Sequence, residues 1–360
     1  MTSDPNPLDQ LLRLKPSSSG FDDKVSNVLQ GQAYRTWVKG IGSDDVVELA
    51  EFLDRALDVL DPAGPGFRRC LRQLRNTCGA RMILPKSYTP ASQSLAVGAQ
   101  PVASGGSGDV YEGTLNGSKV CVKRVRMYLT KGPEEATKTL YQEAIMWKRL
   151  DHKNIVPLLG MTKTPLQLIS EWIPGGNLTE YIIQHSNANR RDLARDIAEG
   201  LYYLHSRNVV HGDLKGPNIL VDATGRARIT DFGLATVTQN VDSFRSTAGE
   251  PAHTPRWTAP EILGGEGSHS TEADVFSFAM VMIEVFTGAV PFNRSPSAAA
   301  MVMIMKGERP PRPTHQELTN DLWKIIQQCW NQDPHLRPEV SKILSVLGIT
   351  WVPLSSVDPG

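Results

Sequence analysis

The hydrophobic positions of this chain change period along its length. From Ser43 the pattern is helical: Asp44 and Asp45 suit a first turn behind a Ser43 N-cap, and Val46-Val47-Glu-Leu49 through Leu60 repeats at three- and four-residue spacing until Asp61-Pro62. A second helix is predicted from Pro65 to Cys78, with Phe67, Leu71 and Leu74 on one face and Arg68, Arg69, Arg72 and Arg75 on the other. That arginine face reads first as a solvated or docking surface, and second as a site for a partner or acidic peptide. Residues 97 to 125 alternate and carry Gly and Val, so they predict paired strands. Residues 133 to 150 predict an amphipathic helix opened by Pro133, Glu134 and Glu135, and Leu166 to Trp172 a short apolar strand. Helices dominate from Leu178 onward, notably Arg191 to Ser206, Asp274 to Thr287 and Leu318 to Asn331. The expected class is α+β, a strand-rich lobe preceding a larger helical one, with a cleft between lobes as a place for a ligand.

The boundaries follow from the same pattern. Residues 1–20, rich in Pro, Ser and Asp, are expected to be a disordered tail, 21–84 a helical N-terminal region, and 85–96 a linker. Residues 97–348 form the main domain and 349–360 a C-terminal tail.

Composition narrows the class. The 360 residues are 40% hydrophobic and 21% charged, as expected of a globular protein with a real core. Formal net charge is zero, which gives no electrostatic case for nucleic acid or an anionic membrane. The four cysteines, Cys70, Cys78, Cys121 and Cys329, form no zinc-like pairs and read as free thiols of a reducing compartment. The polar N-terminus lacks a signal-peptide pattern, and the most apolar stretch, Ala279 to Val290, is short and broken by Glu284. The cytosol is the expected location, with the nucleus as the alternative.

One constellation carries chemistry. Asp231-Phe232-Gly233 lies eighteen residues after Asp213, which sits in the run His211-Gly-Asp-Leu-Lys-Gly-Pro-Asn218. The series orders a carboxylate, an ammonium, a carboxamide and a second carboxylate. Phosphoryl transfer from ATP needs these groups: a base or orienter for the attacking hydroxyl, a cation on the phosphates, and oxygen ligands for magnesium. An isolated Asp-Phe-Gly is common by chance, and any one carboxylate reads more simply as a cap or turn residue. Likewise the glycine-rich segment Ala103-Ser-Gly105-Gly106-Ser-Gly108-Asp-Val110 alone is a flexible hairpin turn, and Lys123 in Val120-Cys-Val122-Lys123 alone is a snorkelling lysine. All of them in order, with Tyr141-Gln-Glu143-Ala144, Ser170-Glu171-Trp172-Ile173 and Thr254-Pro-Arg-Trp257-Thr-Ala-Pro-Glu261, outweigh the simpler readings.

On these motifs residues 97–348 resemble a eukaryotic protein kinase domain. The resemblance implies a two-lobed protein-kinase-like fold, strand-rich N-lobe and helical C-lobe, with a small N-terminal helical extension. It implies transfer of the γ-phosphoryl group of Mg-ATP to Ser or Thr hydroxyls of protein substrates in intracellular signalling. Ala103, Gly105, Gly106 and Gly108 would cradle the phosphates, Val110 would pack on adenine, and the Glu171 carbonyl and Ile173 amide would recognise its edge. Lys123 would pair with the phosphates and with Glu143. Asp213 would be the catalytic base or orienter, Lys215 would contact the γ-phosphate, and Asn218 and Asp231 would hold magnesium. Thr254 matches the threonine that ties Asp213 to Lys215 in Ser/Thr-specific members. Trp147, Leu158, His211 and Phe232 would form a hydrophobic stack, making His211 a packing residue. Glu261 should pair with Arg337, Asp274 should hold the catalytic loop's backbone, and Ser170 sits at the gatekeeper position.

Within kinases, Asn154-Ile-Val-Pro-Leu-Leu-Gly160 and Asp274-Val-Phe-Ser-Phe278 resemble the tyrosine-kinase-like group, and the run from His211 to Asp222 with Arg228 to Ala235 resembles the expanded kinases of mushroom-forming fungi. Two positions depart from the family pattern. Ala103 replaces the first loop glycine, and Gly212 replaces the arginine that normally meets an activation-loop phosphate, so activity is expected to depend little on phosphorylation of Ser243, Ser246 or Thr247. The departures keep a pseudokinase or scaffold open as a rival reading, beside a tyrosine or dual-specificity kinase. Expected partners are a protein substrate and an adaptor on the N-terminal helices, with no nucleic acid and no membrane. Oligomeric state has no signature in the sequence.

Overall fold

Local capping chemistry sets where the first helix starts. The computed structural model describes residues 6–62, 64–90, 95–105, 108–124, 133–232, 236–237 and 255–349. They pack as two units, Met1–Asp151 with Pro157–Trp172, and His152–Val156 with Ile173–Gly360.

The first unit opens with helices α1 (Pro7–Leu12), α2 (Phe21–Gln30), α3 (Gln32–Trp37), α4 (Ser43–Leu57) and α5 (Pro65–Arg81). Helix α1 corrects the expected disordered tail. The Asn6 side chain accepts the Leu8 N–H at 3.0 Å, Pro7 sits in the first turn, and Leu8 and Leu11 are buried. The residues that read as disorder are a capping signature, and leucines three apart give the short helix an apolar edge. Helix α4 starts at Ser43, and its N-cap is Gly42 rather than the expected Ser43. The arginine face of α5 is half-buried rather than solvated. Arg69 donates to Ser26 of α2, and burial pulls the Arg75 guanidinium down to about 10.

The expected linker is also corrected. Residues Lys86–Tyr88 form a 3-10 turn with Tyr88 fully buried, and strand β1 (Leu95–Val97) starts inside the assigned range. An aromatic ring gains more from burial than a linker does from freedom. Strands β2 (Ala103–Gly105), β3 (Gly108–Leu115), β4 (Ser118–Arg124), β5 (Leu158–Lys163) and β6 (Leu166–Glu171) form an antiparallel sheet in the order β1-β3-β4-β6-β5, with β2 paired to β3. One face buries Tyr111, Val120, Val122 and Ile169. Helix α6 (Pro133–Trp147) belongs to this unit and buries Leu140, Tyr141, Ala144, Ile145 and Trp147.

The second unit carries α7 (Leu178–Gln184), α8 (Arg190–Ser206), α9 (Pro260–Leu263), α10 (Thr271–Thr287), α11 (Ser297–Met305), α12 (Asn320–Cys329) and α13 (Val340–Val346). Its strands are β7 (Val209–Val210), paired with β10 (Thr236–Val237), and β8 (Ile219–Val221), paired with β9 (Ala227–Ile229). Helix α10 is buried from Ala273 to Phe286, as expected of a helix apolar on all sides. Ser270 caps its start through the Ala273 N–H, and Gly288 ends it at φ +68°. Because α10 is a core helix, its two buried acids, Asp274 and Glu284, must find donors within the protein. No helix among the described residues is long and apolar enough to cross a membrane.

Candidate active site

The sheet unit holds the groups assigned to the nucleotide. Ala103 pairs with Val110 and Gly105 with Gly108 in the antiparallel β2–β3 ladder; Gly106 lies outside the described residues. Val110 is opposite Lys123, and Lys123 is opposite Leu168. Directly opposed residues share a sheet face, so Val110 and Lys123 are presented together. Val120 and Val122 alternate to the other face, in the apolar cluster. Alternation thus keeps the half-buried lysine clear of that cluster. Glu143 stands on α6 at 8% exposure, one turn before buried Trp147. Ser170 is buried on β6, opposite Cys121. The Glu171 N–H is used by the Pro157 carbonyl at 3.3 Å, and the chain leaves this unit after Trp172, before buried Ile173.

The helical unit brings three predicted residues together. Lys215 Nζ donates to Asp213 Oδ2 at 2.6 Å. Asn218 Nδ2 donates to the Asp213 carbonyl at 2.8 Å and to Asp213 Oδ2 at 3.1 Å. With the amide nitrogen committed to Asp213, Asn218 leaves its carbonyl oxygen for a cation. Asp231 is brought near Asn218 in sequence register by the Thr230 N–H, which donates to the Asn218 carbonyl at 2.9 Å. Asp231 has φ +66°, a left-handed conformation uncommon outside glycine and tolerated by Asp. Among the described residues no cluster of three or more His, Cys, Asp or Glu side chains is arranged to hold a metal by itself. The donor set of Asn218 and Asp231 suits magnesium instead, which takes one or two protein oxygens and completes its shell with phosphate and water. Thr254 lies outside the described residues, as do Gly233 and the segment with Ser243, Ser246 and Thr247.

The catalytic loop hangs from α10 by its backbone. Asp274 accepts the N–H of His211 at 2.8 Å and of Gly212 at 2.9 Å, and it meets His205 Nε2 at 3.0 Å. Burial pushes the Asp274 carboxyl up, but the His205 hydrogen bond and charge and the Gly212 N–H outweigh it and hold it below the usual range. His211 is fully buried, edge-on to Phe232 at 5.3 Å. Its Nδ1 accepts the Asp213 N–H at 3.2 Å and its Nε2 faces the Thr230 carbonyl at 3.0 Å, which assigns the ring proton to Nε2. His211 therefore packs and positions Asp213, as its sequence context implied. Trp147 and Leu158, assigned to the same stack, are buried within the sheet unit.

Glu284 was visible in the sequence only as an interruption of an apolar stretch. It is fully buried, its Oε1 accepts the Gly216 N–H at 2.9 Å and the Trp257 indole N–H, and its Oε2 accepts from Thr179 at 2.9 Å. Burial pushes its carboxyl up to about 7, against those hydrogen bonds and the charge of Lys215. A carboxylate that cannot reach water must gather donors, and that cost was the signal that could have marked it. Further along, Glu261 and Arg337 meet in two parallel bonds of 2.7 Å each, as expected. Asp213, Leu214, Trp257, Thr258, Ile262 and His269 line one small cavity, so the space beside the Asp213 loop is walled by the segment before Glu261.

Residues 98–347 match the family model described as protein tyrosine and serine/threonine kinase. The chain is similar to serine/threonine-protein kinase STY17 of Arabidopsis thaliana, at 32% identity over 68% of this chain and 43% of that relative. It is 34% identical to serine/threonine/tyrosine-protein kinase HT1 of the same plant, over 73% of this chain and 68% of the relative. A probable serine/threonine-protein kinase of Dictyostelium discoideum, drkC, is 34% identical over 68% of this chain and 33% of its own length. The match to STY17 thus spans less than half of that protein.

Proposed function

This chain belongs to the protein tyrosine and serine/threonine kinase family, on its tyrosine-kinase-like side, and we propose that it is a protein kinase that transfers the γ-phosphoryl group of Mg-ATP to Ser or Thr hydroxyls of protein substrates. The observation that carries this reading is the shared carboxylate of Asp213, bonded by Lys215 at 2.6 Å and by Asn218 at 3.1 Å, on a loop suspended from Asp274. In the transfer, the substrate oxygen forms a bond to the γ-phosphorus as the bridging β–γ bond breaks, and ADP leaves. Asp213 orients the hydroxyl and takes its proton. Lys215 lies beside that carboxylate and stabilises negative charge on the phosphoryl oxygens. Lys123 is assigned to the phosphates, with Glu143 as its ion-pair partner within the sheet unit. Asn218 and Asp231 would hold magnesium, which would supply positive charge against the phosphates. The choice of Ser and Thr over Tyr is supported by Lys215, two residues after Asp213, and by the likeness to STY17 and drkC, which are named as serine/threonine kinases, whereas the name of HT1 includes tyrosine as well.

The test is purified full-length protein with labelled ATP, magnesium and a general protein acceptor, followed by phosphoamino-acid analysis. Phosphoserine and phosphothreonine are expected, and Asp213→Asn should lower kcat by about 100- to 10,000-fold. Phosphotyrosine as the main product would overturn the acceptor assignment. Nucleotide binding without transfer in the wild type would establish the scaffold reading instead.

A further inference from the structure

The family match starts at residue 98, yet the helices before it are built into the sheet unit. Helix α5 lies along α6, the helix that carries Glu143. At Gly79 a side-chain carbon would stand 3.0 Å from Gln142 Nε2 and 3.2 Å from both Gln142 Cγ and Lys138 Cγ, so the absence of a side chain sets how closely the two helices approach. Just past the C-terminal end of α6, Arg149 pairs with both Asp54 and Asp58 of the α4 region and donates to the Asp54 carbonyl at 2.9 Å. Asp54 is 3% exposed and also accepts from Ser87 at 2.6 Å. Ser87 in turn receives Lys148 Nζ at 2.6 and 2.7 Å, and Lys148 lies over the ring of fully buried Tyr88 at 4.1 Å. The turn itself is tied to α4, since the Lys86 N–H donates to Glu51 at 2.8 Å.

These contacts have one geometric consequence. Lys138, Gln142 and Ile145 follow three- and four-residue spacing and form one stripe of the helix, Arg149 follows four residues later in the turn after it, and Glu143 lies about 100° around from Gln142. A rotation or swing of α6 that moved Glu143 would have to pull Arg149 out of a buried ion pair. Burial opposes the Arg149 charge, but Tyr88, Asp54 and Asp58 outweigh it and hold the guanidinium more firmly protonated than usual. Leaving such a group unpaired is costly.

We propose that α4, α5 and the Lys86–Tyr88 turn are an intramolecular brace for α6, and that Asp54 and Arg149 are positioning residues that keep Glu143 in register for Lys123. The proposal rests on the kinase reading and gives the N-terminal helices a role within the same chain.

The test uses full-length protein, with kcat and KM for ATP measured per folded molecule well below each variant's Tm. Asp54→Ala should lower kcat about tenfold and raise KM for ATP, because a released α6 spends most of its time with Glu143 displaced. Arg149→Lys, which keeps the charge but loses the fork that spans two carboxylates, should fall between Asp54→Ala and wild type. Gly79→Cys combined with Gln142→Cys places two thiols across the seam. In the Asp54→Ala background, oxidising that pair should restore kcat, and reduction should remove the gain. Restoration distinguishes positioning from a simple loss of stability. Wild-type kcat and KM in folded Asp54→Ala would overturn the brace, as would a closed disulfide that restores Tm but not kcat. If wild-type protein binds nucleotide and transfers no phosphate, the kinase reading itself falls and the brace falls with it.

Discussion

Asp274 and Gly212 are 62 residues apart in the chain, and the carboxylate of one accepts the backbone N–H of the other at 2.9 Å. With the parallel bond to His211, this contact suspends the residue before Asp213 from the buried helix α10. Substituting Asp274→Asn keeps the shape but turns one acceptor into a donor facing two N–H groups and His205. Hydrogen bonds to a charged group contribute about 1.5–3 kcal/mol each, so kcat should fall about 10- to 100-fold as the loop loosens. The affinity for nucleotide should change little. A loss of ATP affinity with unchanged kcat would contradict this role.

The buried Glu284 makes a pH-dependent prediction with a definite sign. Its carboxyl is raised in the fold, so its stabilising contribution is complete below the ordinary value of 4.5 and is lost as pH rises through about 7. The loss amounts to about 3 kcal/mol at most across that window. Asp274 works in the opposite direction, since its held-down carboxyl contributes stability that is lost as pH falls below the carboxylate range. In Glu284→Gln the amide can still accept from Gly216 and donate to Thr179. Its Tm against pH should therefore be flatter than wild type between pH 4.5 and 7, while the acid limb stays. Parallel wild-type and variant curves would refute the assignment.

Glu261 and Arg337 form a bidentate pair in which the arginine side chain is fully buried. Glu261→Ala leaves that guanidinium without its partner and should cost about 3–5 kcal/mol. Chemical denaturation checks the value, and a midpoint unchanged from wild type would show the pair to be dispensable.

Gly212 has φ +80°, a conformation that side chains disfavour by about 1 kcal/mol or more. Gly212→Ala should therefore lower stability by about that amount. Lacking an arginine at this position, the loop has no cation there for a phosphorylated activation segment. Ser246→Ala combined with Thr247→Ala should retain most of the wild-type kcat, and abolished activity in a folded double variant would count against it.

Ser170 is buried opposite Cys121, so two small side chains face each other on adjacent strands. Ser170→Met should weaken inhibition by bulky ATP-competitive compounds at least tenfold, with little change in KM for ATP. Equal inhibition of the two proteins would remove Ser170 from the nucleotide pocket.

The sequence alone was enough for whatever depends on neighbours in the chain. The strand alternation that keeps Lys123 off the apolar face, the helix of Glu143, the close grouping of Asp213, Lys215 and Asn218, and the apolar run of α10 are all local. Paired residues such as Glu261 and Arg337 were legible only through the family resemblance, since nothing in their spacing joins them. Tertiary structure decided the rest. Within the tail, Pro7–Leu12 became a capped helix because Leu8 and Leu11 found a core, and within the linker Lys86–Tyr88 became a docked turn because Tyr88 did. Glu284 changed from an interruption into an anchor because Gly216, Thr179 and Trp257 converge on it from three separate segments. Asp54 and Arg149, 95 residues apart, make a buried pair whose value lies in where α6 is held. Local propensity acts over a few residues, whereas burial and ion pairing depend on which distant groups share a space, and only the folded chain brings those groups together.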